Sequence, residues 1–324
     1  MKLPTWLRDK LESLLSDASP AELGRAVEVL SQHYRQHKPT QTAALAPGLR
    51  AKAYLATRFA ATFAAIRNVL QHVPSEPPPT SVLDLGAGPG TASLAALETF
   101  PHISRITLFE RDADFRTLGS EFLPHADWRN DDFTQVRLPP HDLVIAAWSL
   151  GETPNPLDAA LEAWRAALQA LVILAPGTPA AFAEVRQIRK RLIEAGAYLA
   201  APCPAAGECP MPAGDWCHFR QRVERSSLHR RAKKGALPYE DEKFSYLVFC
   251  RYPVPRPAGR IVRHPQHRPD NIKLTVCLGD RITEIHVTRR SRELWRAARQ
   301  ADWGEAWNTS TLLPPEASVS SPDR

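Results

Sequence analysis

Two sets of residues in this 324-residue chain have types and spacings suited to chemistry. The first is Val82-Leu83-Asp84-Leu85-Gly86-Ala87-Gly88-Pro89-Gly90, an apolar run closing on glycine at alternate positions. A helical pattern (Ala92, Leu94, Ala95, Leu97) follows at once. A buried parallel strand, a glycine turn and a helix start, in that order, build a nucleotide-type pocket. Glycine lets a ligand approach the backbone, and the free amides of the helix start meet its polar groups. The spacing is G-x-G-x-G, not the G-x-G-x-x-G of dinucleotide binders. A second strand, Ile106-Thr107-Leu108-Phe109, ends at Glu110, twenty residues past Gly90, where a ribose diol would be held. The plainer reading of the glycines is a tight strand-to-helix connection.

The second set is the cysteines, five in all and every one after residue 200. Cys203, Cys209 and Cys217 fall in a stretch rich in proline and glycine, predicted to be a loop. Such a loop can wrap a metal centre, because thiolates need no regular scaffold once the metal fixes them. A fourth ligand has three candidates. Cys250 ends the apolar run 244–249 and reads as a core thiol. His218 adjoins Cys217, and sequence neighbours rarely ligate one ion comfortably. Cys277, just before a Gly279-Asp280 turn, is the one chosen. Structural zinc favours close C-x-x-C pairs, which are absent here, whereas wider spacing suits a [4Fe–4S] cube. On the cysteines alone both metals stay open.

The elements that must position these groups follow from the rest of the chain. Residues 5–37 read as helices, with Ser19-Pro20 as a cap and first position. Residues 49–73 read as one longer helix with Tyr54, Leu55, Phe59, Phe63 and Ile66 on a stripe, and 74–80 as a proline-rich linker. Residues 81–175 alternate strands and helices, the pattern of a doubly wound, mostly parallel α/β sheet. A third element at 127–133 puts Asp131 or Asp132 near a base edge, or forms a plain acidic turn. The fourth strand, 142–149, delivers Trp148 and Ser149 to the crevice outside its carboxyl end. A fifth, Leu171-Val172-Ile173-Leu174, runs into Ala175-Pro176-Gly177. Residues 219–234 are predicted to form a basic helix, with Arg220, Arg222, Arg225, Arg230, Arg231, Lys233 and Lys234 as phosphate contacts. A solvated helix face is the bland alternative. The expected organisation is an N-terminal helical region (1–74), a cofactor-binding domain (75–200), a region holding the cysteine loop, basic helix and C-terminal strands (201–308), and a disordered tail (309–324).

Charge divides along the same line. Residues 1–200 hold 20 Lys and Arg against 21 Asp and Glu, whereas residues 201–324 hold 21 against 14. The back of the chain therefore suits a polyanion, of which nucleic acid is the commonest. No apolar run reaches membrane-spanning length, and the first residues lack an export signal, so no membrane association and a cytoplasmic location are expected. That compartment disfavours a disulfide framework and leaves metal or redox roles for clustered cysteines.

The glycine turn with Glu110 resembles the first motif and acidic loop of class I S-adenosylmethionine-dependent methyltransferases. The resemblance implies that cofactor, held by Asp84, Gly86, Gly88, Gly90, Glu110, Asp132 and Trp148, with Trp148 and Ser149 facing the methyl acceptor. Two features of nucleic-acid methyltransferases are absent: an Asn/Asp-Pro-Pro-aromatic tetrapeptide after the fourth strand, and the cysteine pair of the cytosine C5 enzymes. The Cys203–Cys209–Cys217 loop running into His218-Phe219-Arg220, the stretch Leu237-Pro238-Tyr239-Glu240-Asp241-Glu242-Lys243-Phe244-Ser245-Tyr246, and the ending Ala301-Asp302-Trp303-Gly304-Glu305-Ala306-Trp307 are similar to the ribosomal small-subunit protein 22 family. Its mitochondrial member is methyltransferase-like protein 17. The family implies a methyltransferase-like fold on the small ribosomal subunit, contacting its 16S rRNA and aiding assembly; away from the ribosome the chain is expected to be a monomer. It also implies a [4Fe–4S] cluster on Cys203, Cys209, Cys217 and Cys277. An active rRNA methyltransferase is the alternative function. Ala175 stands where the family pattern has Glu before Pro-Gly.

Overall fold

A computed structural model describes residues 1–36, 48–233 and 237–308. In chain order the elements are α1 (Thr5–Leu14), α2 (Pro20–Gln36), α3 (Leu49–Thr57), α4 (Phe59–Leu70), β1 (Ser81–Leu85), α5 (Thr91–Thr99), β2 (Arg105–Phe109), α6 (Ala113–Ser120), β3 (Asp127–Arg129), β4 (His141–Ala147), α7 (Pro156–Ala166), β5 (Ala167–Pro176), α8 (Pro179–Glu194) and β6 (Tyr198–Ala201). They continue with β7 (Phe219–Glu224), α9 (Ser227–Lys233), β8 (Tyr239–Cys250), β9 (Gly259–Ile261), β10 (Gln266–His267), β11 (Asn271–Cys277), β12 (Ile282–Thr288), α10 (Arg292–Gln300) and β13 (Ala306–Trp307). Two units divide the chain: Met1–Ala201 with Gly214–Val254, and Pro202–Ala213 with everything from Pro255 on.

In the first unit the sheet runs β3-β2-β1-β4-β5-β8-β6, with β7 also on β8. The first five strands are parallel, and β8 lies antiparallel between β5 and β6. β1 is buried at every position, as a parallel strand covered on both faces must be. The chain leaves β1 toward β2 on one side and returns to β4 on the other, so a crevice opens at the carboxyl ends of β1 and β4. The methyltransferase-like α/β fold expected from the sequence is therefore present.

Three expectations about elements need correction. The single helix over 49–73 is two helices, α3 and α4, broken at Arg58 (φ −119°). Thr57 bonds its hydroxyl back to the Ala53 carbonyl (2.7 Å), a local competitor of the helical pattern, and Arg58 turns to Glu242 (2.6 Å). The basic helix over 219–234 is half strand. Phe219 and Val223 alternate inward, and β7 pairs with β8 from Phe219↔Phe244 to Glu224↔Tyr239. Sheet pairing and the burial of Val223 against Ala61 and Ala64 outweigh helix propensity there. Only α9 is helical, with the Ser226 hydroxyl accepting from the His229 amide (3.1 Å). Third, the expected region 201–308 does not hold together: 214–254 returns to the first unit and completes its sheet. The proposed phosphate contact Lys234, the expected break at His37-Lys38-Pro39-Thr40 and the expected tail 309–324 lie outside the described residues.

The second unit is a five-stranded antiparallel sheet in which β11 pairs with β10, β12 and β9, and β9 pairs with β13. Ile261, Ile272, Leu274, Val276, Val287, Ala298 and Trp307 form its core, with Leu294, Trp295 and Ala297 of α10 packed alongside. Among the described residues no helix is long and apolar enough to cross a membrane.

Candidate cofactor site and cysteine segment

Gly86 follows β1 directly and adopts φ +70°, a conformation side chains rarely take. A Cβ there would come within 2.5 Å of the Ser149 Cβ, so the turn after β1 and the turn after β4 touch only because position 86 has no side chain. The Gly86 and Ala87 amides both donate to the Phe109 carbonyl (2.9 and 3.0 Å), tying the glycine turn to the end of β2. Glu110, just past β2, closes on the same turn. Its Oε2 accepts from the Gly88 amide and its Oε1 from the Asp112 amide, each at 2.8 Å. Burial pushes the Glu110 carboxyl up, against the pull of the Gly88 amide and of Arg50, Arg116 and Arg111. The two halves of the sequence motif, twenty residues apart, thus meet at hydrogen-bond distance.

Asp84 sits beneath the helix that follows the glycine turn. It is buried and accepts from the Ser93 amide (3.0 Å) and hydroxyl (2.9 Å), which pins the start of α5 to β1. Burial raises its carboxyl to about 7. Asp84 therefore orients the helix start. Asp132 is committed locally: it accepts from the Thr134 amide and hydroxyl (3.0 and 2.7 Å) and pairs with Arg111 (3.0 Å), contacts that lower its pKa. Asp131 is exposed. Trp148 takes φ +60°, a left-handed backbone uncommon outside glycine, with its amide held by the Leu174 carbonyl at 2.8 Å. Next to it, Ser149 is buried and its hydroxyl has no hydrogen-bond partner among the described residues.

Two features were missed by sequence reasoning. The start of α3 is fastened over α6: Arg50 pairs with Asp112, and the Gly48 amide donates to Asp114 (2.8 Å). The legible signal was Asp112-Ala113-Asp114, an N-cap whose side chain accepts from the Asp114 and Phe115 amides. The other is Glu184 on α8, whose Oε1 lies 3.5 Å from where a Gly151 Cβ would stand, beside the turn after β4. Burial raises its carboxyl. Beyond β5, Gly177 is hemmed in. Its amide donates to the Lys243 carbonyl (3.1 Å), its carbonyl accepts from Trp216 Nε1 (3.0 Å), and a Cβ would sit 2.8 Å from the Lys243 carbonyl carbon.

The cysteines separate by environment. Cys250 is fully buried on β8 and burial pushes its thiol up to about 12, as suits a core residue. Cys203, Cys209, Cys217 and Cys277 are partly exposed. Within the second unit, Arg260 Nε donates to the Pro202 carbonyl (2.9 Å), and Arg260 stands opposite Cys277 in the β9–β11 register. Gly279, at φ +102°, lets Ala205 approach within 2.6 Å of where a Cβ would be. The segment bearing Cys203 therefore packs at the strand end bearing Cys277. Cys209 shares that unit, and Cys217 belongs to the first. Among the described residues no group of three or more His, Cys, Asp or Glu side chains is arranged to hold a metal ion.

Of the expected phosphate contacts, several already have acidic partners. Arg220 and Arg222 pair with Asp241 (3.4 and 2.8 Å), and Arg222 lies over the Tyr239 ring. Arg225 and Lys233 pair with Glu240, both at 3.2 Å. Arg230 and Arg231 are exposed.

A parallel sheet extended by an antiparallel strand, with a glycine turn closed by an acid from the next strand, defines a protein of the methyltransferase-like α/β class. The chain belongs to the family described as mitochondrial small ribosomal subunit Rsm22, whose profile matches residues 48–308. No curated protein matches the chain. Among solved structures, it is similar to magnesium protoporphyrin IX methyltransferase from Synechocystis with bound S-adenosylmethionine (14% identity, 59% of this chain and 79% of that one, TM-score 0.38). It is also similar to precorrin-6y C5,15-methyltransferase from Geobacter metallireducens (16% identity, 58% and 86%, TM-score 0.37). A third is the plantazolicin methyltransferase BpumL (11% identity, 72% and 98%, TM-score 0.43).

Proposed function

We propose that this protein binds the small ribosomal subunit or its precursors through rRNA, as a cytoplasmic assembly factor that is monomeric away from the ribosome. The family match over residues 48–308 carries the reading. Sedimentation with precursor subunits tests it: co-migration is expected, and migration only as free protein overturns it.

S-adenosylmethionine is the proposed cofactor of the crevice. What supports it is the Glu110–Gly88 contact at the sheet's switch point and the buried Ser149 hydroxyl left without a partner beside it. Gly86, Gly88 and Gly90 would admit it, Glu110 would hold its ribose, Asp132 would lie at the base edge and Trp148 at the acceptor side. When bound, it supplies a methyl group on a sulfonium. A [4Fe–4S] cluster on Cys203, Cys209, Cys217 and Cys277 is the proposed metal centre. Its support is the family resemblance, the partial exposure of these four thiols, and the packing of the Cys203 segment on the strand end of Cys277. Anaerobic purification tests it, and a colourless protein with stoichiometric zinc rejects it.

A second reading, an active rRNA methyltransferase, has one observation in its favour: the burial-raised Glu184 carboxyl beside the turn after β4. Maps of methylated rRNA nucleotides with and without the protein separate the two, because an unchanged map leaves binding alone.

A further inference from the structure

The second unit carries an arginine row that neither the crevice nor the cysteines use. Helix α10 reads Arg292-Glu293-Leu294-Trp295-Arg296-Ala297-Ala298-Arg299-Gln300. At about 100° per residue, Leu294, Ala297 and Ala298 share the side packed on the sheet, and Arg292, Arg296 and Arg299 share the opposite stripe. All three arginines are exposed. Arg289 and Arg290 are exposed in the turn between β12 and α10, and the Arg289 guanidinium lies 5.5 Å from the centre of the Trp295 ring. Among the described residues none of these five arginines makes an ion pair. Glu293, the helix's one acid, points about 100° away from Arg292. The 219–233 segment differs: there Arg220 and Arg222 share Asp241, and Arg225 and Lys233 share Glu240, as ion-pair partners.

We propose that the Arg292–Arg296–Arg299 row, flanked by Arg289 and Arg290, is the surface on which the phosphodiester backbone of RNA docks. The inference rests on the rRNA-binding reading above and names the face that serves it. A phosphate approaching this row displaces no internal acid, and the planar guanidinium suits phosphate oxygens in two-point contact. From Arg292 to Arg299 the helix rises roughly 10 Å, enough to meet successive phosphates of one strand. Contacts of this kind position RNA without reading its sequence.

The experiment uses the full chain and a fluorescent small-subunit rRNA fragment, titrated by anisotropy over a series of salt concentrations. Arg292→Gln/Arg296→Gln/Arg299→Gln is compared with the corresponding triple Lys variant and with Arg230→Gln/Arg231→Gln. The triple Gln variant is expected to bind about ten- to a hundredfold more weakly, with a salt slope shallower by about 2. The triple Lys variant is expected to recover most of the affinity. Binding by the triple Gln variant with wild-type affinity and slope overturns the inference and leaves the rRNA reading standing. A wild-type chain that binds no RNA removes both. A triple Gln variant that keeps RNA but no longer sediments with the subunit assigns the row to a protein partner and overturns RNA docking.

Discussion

Asp84 and Glu110 end neighbouring strands, and burial raises both, yet their surroundings assign them separate tasks. Glu110 accepts from two backbone amides beside the glycine turn, and in the proposed reading it is the group a ribose would engage. Glu110→Gln is expected to weaken S-adenosylmethionine binding by about ten- to a hundredfold, the worth of a hydrogen bond to a charged group, read by calorimetric titration. Asp84 is instead a source of pH dependence. Its carboxyl sits at about 7 in the folded chain against an ordinary value near 3.8. Between those two values the folded state keeps a proton that the unfolded chain has released, so this group's contribution to stability is lost as pH rises from about 4 to about 7. Asp84→Asn should flatten that part of the profile while the Ser93 hydroxyl retains an acceptor. Parallel wild-type and variant melting profiles across that range would sink the assignment.

Among the elements, β8 does the most to assemble the first unit, since it pairs with β5, β6 and β7. Its first residues also gather charge. Glu240 meets Arg225, His229 and Lys233 within 3.4 Å. Burial opposes its charge, but His229 and Lys233 hold its carboxyl down to about 2. Glu240→Gln would leave three basic groups facing one another in a partly buried site and is expected to cost about 3 kcal/mol, measured by urea unfolding at neutral pH. The stabilising pair is complete above the ordinary glutamate range and is lost as pH falls from about 4.5 toward about 2. Just past the Pro176↔Phe244 end of the β5–β8 pairing, Gly177→Ala forces a methyl group into the Lys243 backbone. A loss of about 1–3 kcal/mol is expected from such overpacking; an unchanged urea midpoint would show that the turn yields.

For the molecule as a whole, the cysteine environments make a paired prediction. On the proposed cluster, Cys277→Ser is expected to abolish bound iron and visible absorbance in protein purified without oxygen. Cys250→Ser, in the core of the first unit, is expected to leave both intact while lowering stability. Loss of iron in both variants would point to collapse of the fold and not to loss of a ligand. The charge asymmetry of the sequence also changes meaning at this scale. Lys and Arg outnumber Asp and Glu after residue 200, but Arg220, Arg222, Arg225 and Lys233 are paired with Asp241 and Glu240 inside the first unit. The arginines left without acidic partners include the α10 stripe.

The sequence by itself determined the strand–glycine turn–helix unit, the acid twenty residues on, the alternation of strands and helices, the cysteine-bearing loop and the core character of Cys250. These are set by short-range chemistry: apolar period, backbone freedom at glycine and turn composition act over a few residues. Only the tertiary structure decided that Asp84 braces α5, that the basic segment at 219–224 is a strand, and that residues 214–254 return to complete the first sheet. Each of these depends on a partner distant along the chain: Ser93 for Asp84, β8 for β7, β5 for β8. Local propensity cannot reveal such a partner, because sheet pairing and ion-pair formation draw their free energy from groups brought together only by folding.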